Sequence, residues 1–170
     1  EYELLITLLL DQSKTEPSKQ EDAYTEAKEA AQQTQNPQEV ARLVNVLHYR
    51  GTPKLAWRLL EPYDSQIKQF PELAAEKAYI LVNTGKQDEA YELITWLYEQ
   101  DKLPQSLERD YMALALANDE PEIALEMAKK VDVIALNEEQ AISIVELAMY
   151  DGDGSIKNVL LSKFNNPEIT

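Results

Sequence analysis

The sequence predicts an all-α protein, a right-handed α-solenoid of about five antiparallel helix hairpins with a 34-residue period. The first observation behind this prediction is a turn at Gly51 that returns at Gly85 and falls next on Asp119. The second is the presence of only four glycines in 170 residues, which disfavours sandwiches and barrels with many tight turns. The third is the helical spacing of apolar residues between the turns. Together these features favour stacked helical hairpins.

Composition limits the classes of function. A hydrophobic fraction of 44% with 28% charged residues is typical of a globular protein with its own core. Thirty-one acidic against sixteen basic residues leave a formal charge of -15, which repels phosphate backbones and anionic membranes. We therefore expect no nucleic-acid partner. The absence of cysteine excludes disulfides and thiolate zinc sites, and it leaves both cytoplasm and periplasm open.

The N-terminal segment, residues 1–36, predicts a divergent hairpin. Its apolar run from Leu4 to Leu10 is far shorter than the roughly 20 residues that cross a bilayer, so no membrane insertion is expected. No basic segment precedes the run, which argues against a signal peptide. Residues 1–12 form the first predicted helix, apolar on most sides and so expected to be covered by neighbours. A polar loop and an alanine-rich helix to about Gln35 follow.

The first full repeat spans residues 37–70. Pro37 opens its first helix, and Gly51 is predicted to close that helix in the left-handed conformation. Thr52 can cap the second helix, with Pro53 in its first turn, and that helix is predicted to run to about Gln69. The buried stripe of the first helix consists of Val40, Leu43, Val44 and Leu47.

Residues 71–104 and 105–138 repeat this pattern, and 139–170 form a divergent final hairpin. Asp119 replaces the turn glycine in the third repeat and is predicted to act as an N-cap. The final hairpin would turn at residues 151–154. Its last helix carries Leu160 and Phe164 without a downstream partner, and the chain begins without an initiator methionine. We expect it to be a fragment of a longer array.

The 34-residue interval, the two-helix unit, the turn glycine and the alanine five residues later resemble the tetratricopeptide repeat over residues 37–164. The alanine column consists of Ala56, Ala90 and Ala124. In that family this small residue lets the two helices cross closely, and the first helices line a concave groove that binds protein segments. The fourth-position column departs from the family pattern, with Glu108 in the third repeat. Pentatricopeptide repeats share the period, but they bind RNA and are expected to be basic.

Long, degenerate arrays of this style also resemble the periplasmic scaffolds that precede bacterial outer-membrane exopolysaccharide export porins, such as those for Pel, cellulose and poly-N-acetylglucosamine. This resemblance implies a place in a bacterial envelope assembly, with a periplasmic location favoured over a cytoplasmic one.

The family's register predicts a concave groove for a protein or peptide partner, with exposed positions that also include Ala41 and Ala75. Tyrosines supply flat contact area, asparagines can hydrogen-bond a ligand backbone, and an arginine can pair with a carboxylate. The alternative is that these residues make only packing or solvent contacts. The candidate partner-binding residues are Asn45, His48, Tyr49, Tyr79, Asn83 and Arg109.

No arrangement of residues predicts catalysis, a metal site or a cofactor. His48 is the only histidine, which removes most zinc sites and any paired-histidine mechanism. The stretch from Asp151 to Ser155 is similar to a calcium loop, but Ile156 stands where that loop requires glycine. Phosphate-binding glycine loops and serine elbows are absent. The sequence therefore predicts a non-catalytic scaffold.

A passive spacer or a self-association module is the alternative function. Trp57 and Trp96 lie on second helices, which form the outer layer of such an array. Each is predicted to pack in the core or, alternatively, to anchor a second copy of the chain.

Overall fold

The computed structural model describes residues 2–34, 36–131 and 136–150, and these contain helices but no strand, which confirms the all-α prediction. The α-helices in these ranges are α1 Tyr2–Gln12, α2 Lys19–Thr34, α3 Pro37–Val46, α4 Pro53–Leu60, α5 Pro71–Asn83, α6 Gln87–Glu99, α7 Glu108–Ala117, α8 Pro121–Lys130 and α9 Glu138–Tyr150.

The chain divides into two compact units between Lys102 and Leu103. The first unit contains α1 to α6, and the second contains α7 to α9. In the first unit α1 packs on α2, α3 on α4 and α5 on α6, and α3 also packs against α5. In the second, α7 pairs with α8, which contacts α9. The prediction of one continuous solenoid over residues 1–170 stays a prediction.

Capping residues and prolines set the starts of α3 and α4. The side chain of Asn36 accepts a hydrogen bond from the Gln38 amide at 3.0 Å, and Pro37 occupies the first turn of α3. Thr52 Oγ1 accepts from the Leu55 amide at 3.4 Å, which confirms the predicted cap of α4. These local features fix where each hairpin turns.

The prediction that Gly51 closes α3 in the left-handed conformation is wrong. The helix continues instead through a π-helical turn, Leu47–Gly51. A Cβ on Gly51 would lie 3.1 Å from Cδ2 of Leu10 and 3.4 Å from Cδ1 of Leu55. A Cβ here would have to displace the side chain of Leu10, so the close approach of α1, and not freedom in φ, favours glycine at this position.

Left-handed residues end three other helices, namely Gly85 with φ +72°, Asp101 with φ 55° and Asp119 with φ 58°. Each is followed by a residue whose amide reaches back to the last turn of the helix, which is the Schellman arrangement. The three bonds are Lys86 N to Leu81 O at 3.0 Å, Lys102 N to Leu97 O at 2.9 Å and Glu120 N to Ala115 O at 2.9 Å. The predicted N-cap role of Asp119 is therefore wrong, because its backbone terminates α7.

α4 is shorter than predicted. It gives way at Leu60 to a 3₁₀ segment, Glu61–Gln69. Pro62 has no amide hydrogen and so cannot donate to the carbonyl of Arg58, which removes one bond of a continuing α-helix.

The core of the first unit lies between the hairpins, and it includes completely buried alanines. Ala56 and Ala90 are fully buried, as Ala124 is in the second unit.

On α1 the structure buries Ile6 and Leu10 but leaves Leu4 77% exposed and Leu8 53% exposed. The described residues therefore cover only one side of α1. None of the described helices has the length and hydropathy needed to cross a membrane.

The second unit is built around α7 and α8. Tyr111 and Met112 of α7 and Met127 of α8 are completely buried, and Ile144 and Ala148 form the buried stripe of α9. The predicted final turn at residues 151–154 and the predicted helix after it lie outside the described residues.

Candidate binding face on α3 and α5

Five of the six candidate residues lie on two helices that pack side by side. Asn45 is on α3, His48 and Tyr49 are on its π-helical turn, and Tyr79 and Asn83 are on α5. The structure adds one residue that the sequence did not single out, Glu76. We refer to the following six residues as the α3–α5 face: Asn45, His48, Tyr49, Glu76, Tyr79 and Asn83.

Asn45 and Glu76 join the two helices at one end of the face. Nδ2 of Asn45 donates to both carboxylate oxygens of Glu76, at 3.2 Å each. Both side chains are part-buried. The amide that was predicted to bind a ligand backbone is therefore engaged in holding α3 against α5.

Among the acids in the described ranges, only Glu76 has a pKa raised far above its ordinary value. Burial raises the pKa of the Glu76 carboxyl from its ordinary value of 4.5 to about 7, while the hydrogen bond from Asn45 acts in the lowering direction. Desolvation is the larger influence because a single neutral amide stabilises the carboxylate only weakly. In the sequence, the only indication was a glutamate among the alanines of Leu73-Ala74-Ala75-Glu76-Lys77-Ala78.

His48 and Asn83 make the second bridge between the helices. Nε2 of His48 lies 3.1 Å from Nδ2 of Asn83. Because that amide nitrogen can only donate, the neutral imidazole accepts at Nε2 and carries its proton on Nδ1. Burial also lowers the pKa of His48, which favours the same neutral form.

His48 was predicted at an exposed groove position, and that exposure is wrong. Its side chain is only 6% exposed, and Nδ1 has no hydrogen-bond partner within the described part of the chain. Ala41 and Ala75, also expected to be exposed, are buried at 7% and 8%. α3 contacts α1, α2, α4 and α5, and α5 contacts α3, α4 and α6, so neighbouring helices cover much of both surfaces.

The tyrosines and Asn83 form the accessible part of the face. Tyr49 is 58% exposed, and its ring centroid lies 4.6 Å from that of His48 at an interplanar angle of 36°. Tyr79 is half-buried, and Asn83 is exposed one turn further along α5. Residues 76, 79 and 83 share one side of an α-helix because they are three and seven positions apart. The face thus offers aromatic area beside an amide and a carboxylate.

No protein-family model, curated protein or solved structure matches this chain. The tetratricopeptide and export-scaffold resemblances therefore stay predictions.

Arg109, the sixth candidate, lies in the second unit. It is exposed at the start of α7. Burial raises the pKa of the neighbouring Asp110 carboxyl, and the positive charge of Arg109 acts against that rise. The charge of Arg109 thus acts on a neighbouring acid of the same helix.

The tryptophans are neither fully buried nor fully exposed. Trp57 and Trp96 are both half-buried, so neither belongs to the innermost core. Two ammonium groups lie over the Trp57 ring, Lys77 at 5.4 Å and Lys86 at 4.7 Å from its centroid. These cation–π contacts give Trp57 an intramolecular role on α4.

A separate cleft of about 510 Å³ opens between α1, α2 and α3. Tyr2 closes part of it by donating a hydrogen bond to Gln33 Oε1 at 2.6 Å, and Thr34 bonds to Glu39 at its rim. Across the described ranges, no three His, Asp or Glu side chains converge as a metal site would require. The α3–α5 face remains the best supported candidate because its side chains are held by inter-helix bonds.

Proposed function

We propose that this chain is a non-catalytic interaction scaffold that binds an extended segment of a protein partner on the α3–α5 face. The observation that carries the proposal is the pairing of accessible tyrosines with a fixed polar framework. Tyr49 and Tyr79 offer contact area, while the bonds of Asn45 to Glu76 and of Asn83 to His48 hold the two helices in register. Preorganised aromatic anchors of this kind lower the entropy lost on binding.

The placement of helices and turns supports a tetratricopeptide-like solenoid. α3 and α5 begin at Pro37 and Pro71, 34 residues apart, and α4, α6 and α8 begin at Pro53, Gln87 and Pro121 with the same interval. In tetratricopeptide arrays the first helices of successive repeats form the binding groove. The lateral contact of α3 with α5 fits that arrangement.

The proposal extends to a bacterial envelope or exopolysaccharide export assembly, with a periplasmic location. The resemblance of the array to the periplasmic scaffolds of export porins supports this part. Fractionation of cells that express the tagged full-length protein tests it. We expect the protein in the periplasmic or outer-membrane fraction, and recovery with cytoplasmic markers would contradict this location.

Peptide selection tests the binding face directly. A displayed library of random twelve-residue peptides is selected on the immobilised chain, and the affinities of enriched peptides are measured for wild type, Tyr49→Ala and Tyr79→Ala. We expect each substitution to weaken binding about tenfold or more, because aromatic anchors contribute a large share of interface energy.

Tyr63→Ala is the matched control because Tyr63 is half-buried like Tyr79 but lies in the 3₁₀ segment after α4. It should leave affinity within about twofold of wild type. A selection without enrichment would contradict the proposal. So would peptides that bind wild type, Tyr49→Ala and Tyr79→Ala with equal affinity.

Self-association is the second candidate function, and one observation favours it. α1 presents an apolar side made of Tyr2, Leu4, Leu5 and Leu8, which are between 41% and 77% exposed.

Sedimentation of wild type and of a double variant, with Leu4→Glu and Leu8→Glu in one chain, tests self-association. A concentration-dependent dimer that the double substitution abolishes would support self-association through α1, and a monomer at all concentrations would contradict it. The same measurement on Trp57→Ala and Trp96→Ala tests the anchors expected from sequence.

A further inference from the structure

The carboxylate of Glu76 is incompletely satisfied. An ionised carboxylate offers about four acceptor positions, and only the Nδ2 group of Asn45 donates to it among the described residues. Glu76 is nevertheless part-buried, so water replaces the missing donors only in part. A carboxylate in this position is a strong acceptor with free lone pairs and partial access to solvent.

No cation of the described chain neutralises Glu76. Its neighbour Lys77 pairs with Asp64 and lies over the Trp57 ring, so the ammonium is engaged elsewhere. None of the Lys, Arg or His nitrogens in the described ranges forms an ion pair with Glu76 within 4.0 Å. On α3, the charged residues are Glu39 and Arg42, and both line the cleft toward α1 and α2.

We infer that the partner segment presents a lysine or arginine to the α3–α5 face and that this cation pairs with the carboxylate of Glu76. The inference rests on the proposed function, and it specifies the chemistry of the partner. Tyr79, one turn along α5 from Glu76, would pack against the apolar stem of the basic side chain. The acidic excess of the whole chain, -15, would favour the approach of a basic segment.

The proton affinity of Glu76 agrees with this pairing. Burial holds the pKa of the carboxyl at about 7, so near neutral pH the free protein spends part of its time protonated at this position. A bound ammonium or guanidinium favours the ionised form and lowers the pKa. Binding should therefore release a fraction of a proton at pH 7, and a peptide without the cation should not cause that release.

The experiment uses peptides selected on the full chain. The recurring lysine or arginine of a selected peptide is replaced by norleucine, which retains an apolar stem and removes the charge. Dissociation constants of both peptides are measured for wild type, Glu76→Gln and Glu92→Gln. Glu92 is the control because it is an exposed glutamate on α6, outside the α3–α5 face, and its substitution also removes a carboxylate.

On wild type and Glu92→Gln, we expect norleucine to weaken binding about tenfold, and on Glu76→Gln by no more than about twofold. An equal loss on all three proteins, or selected peptides without a recurring basic residue, would overturn the inference while leaving the proposed function standing. A failure to select any peptide would overturn both.

A second measurement does not depend on how Glu76→Gln folds. Carbon NMR of the side-chain carboxyl follows the pKa of Glu76 in wild type with each peptide bound. The basic peptide should lower that pKa by about one unit or more, and the norleucine peptide should not. Equal pKa values in the two complexes would overturn the inference.

Discussion

At the scale of single residues, equivalent turns are occupied by chemically different side chains. Gly85 and Asp119 both adopt left-handed backbone at the end of a helix, with φ +72° and φ 58°. Glycine adopts this conformation without a steric penalty, whereas a residue with a Cβ is strained there. The turn of the second unit therefore stores strain that the turn at Gly85 does not.

Substitutions at these two turns should have opposite effects. Asp119→Gly should raise the free energy of unfolding by about 0.5–1 kcal/mol, and Gly85→Ala should lower it by about 1 kcal/mol. A Cβ on Gly85 would meet nothing within 4 Å, so the loss would report backbone strain alone. Thermal unfolding followed by circular dichroism measures both. Asp119→Asn controls for the lost charge, and a melting temperature for Asp119→Gly at or below that of wild type would contradict the assignment.

The raised pKa of Glu76 gives stability a defined pH dependence. Between pH 4.5 and about 7 the unfolded state has lost the proton that the folded state retains, so stability falls as pH rises through this window. Below pH 4.5 both states are protonated and the penalty vanishes. Above pH 7 the penalty is complete, about 1–2 kcal/mol once partial solvent exposure is allowed for.

Glu76→Gln should remove this dependence. The variant should be more stable than wild type at pH 8 and show little advantage at pH 4.5, while Glu72→Gln should follow the wild-type curve. Urea unfolding at a series of pH values measures the difference. A constant difference between Glu76→Gln and wild type across the window would show that Glu76 has an ordinary pKa.

At the scale of helices, completely buried alanines leave little room for a larger side chain. Ala90 is completely buried on α6, where α6 packs on α5. Ala90→Leu should lower the free energy of unfolding by about 1–3 kcal/mol because the added methyl groups have no space in a close-packed core. Ala117→Leu, at an exposed position on α7, should change it by less than about 0.5 kcal/mol. Equal effects of the two substitutions in thermal unfolding would contradict the packing described for α6.

The starts of the helices were predictable from the sequence because they depend on short-range chemistry. Pro37, Pro53, Pro71 and Pro121 open helices as expected, since a proline in the first turn needs no amide donor. The conformation of Gly51 was not predictable in the same way. Its π-helical turn accompanies close contact with Leu10, a residue of α1 more than 40 positions earlier. Helical periodicity contains no information about that contact.

The candidate face shows the same division between local and distant causes. The repeat register predicted that Asn45, Tyr49, Tyr79 and Asn83 lie on two neighbouring helices. In the structure these residues lie on α3 with its π-helical turn and on α5. The burial of His48 and the bond of Asn45 to Glu76 depend on how α3 lies against α5. The register assigns a residue to one side of its helix, but it does not determine which side chain faces it from the next helix.

For the molecule as a whole, we propose that α3 and α5 present a rigid face to a protein segment. These two helices begin 34 residues apart and pack side by side, and the acidic excess of the chain favours a basic segment as the partner. The chain's only histidine is buried and bonded to Asn83, so it belongs to the framework of that face.

Backbone amide NMR of the full chain, titrated with a selected peptide, locates the partner-binding surface without any substitution. We expect the largest chemical-shift changes to cluster on α3, its π-helical turn and α5, with Tyr49 and Tyr79 among the most affected residues. Changes confined to α1, or to α4 and α6, would contradict binding on the α3–α5 face.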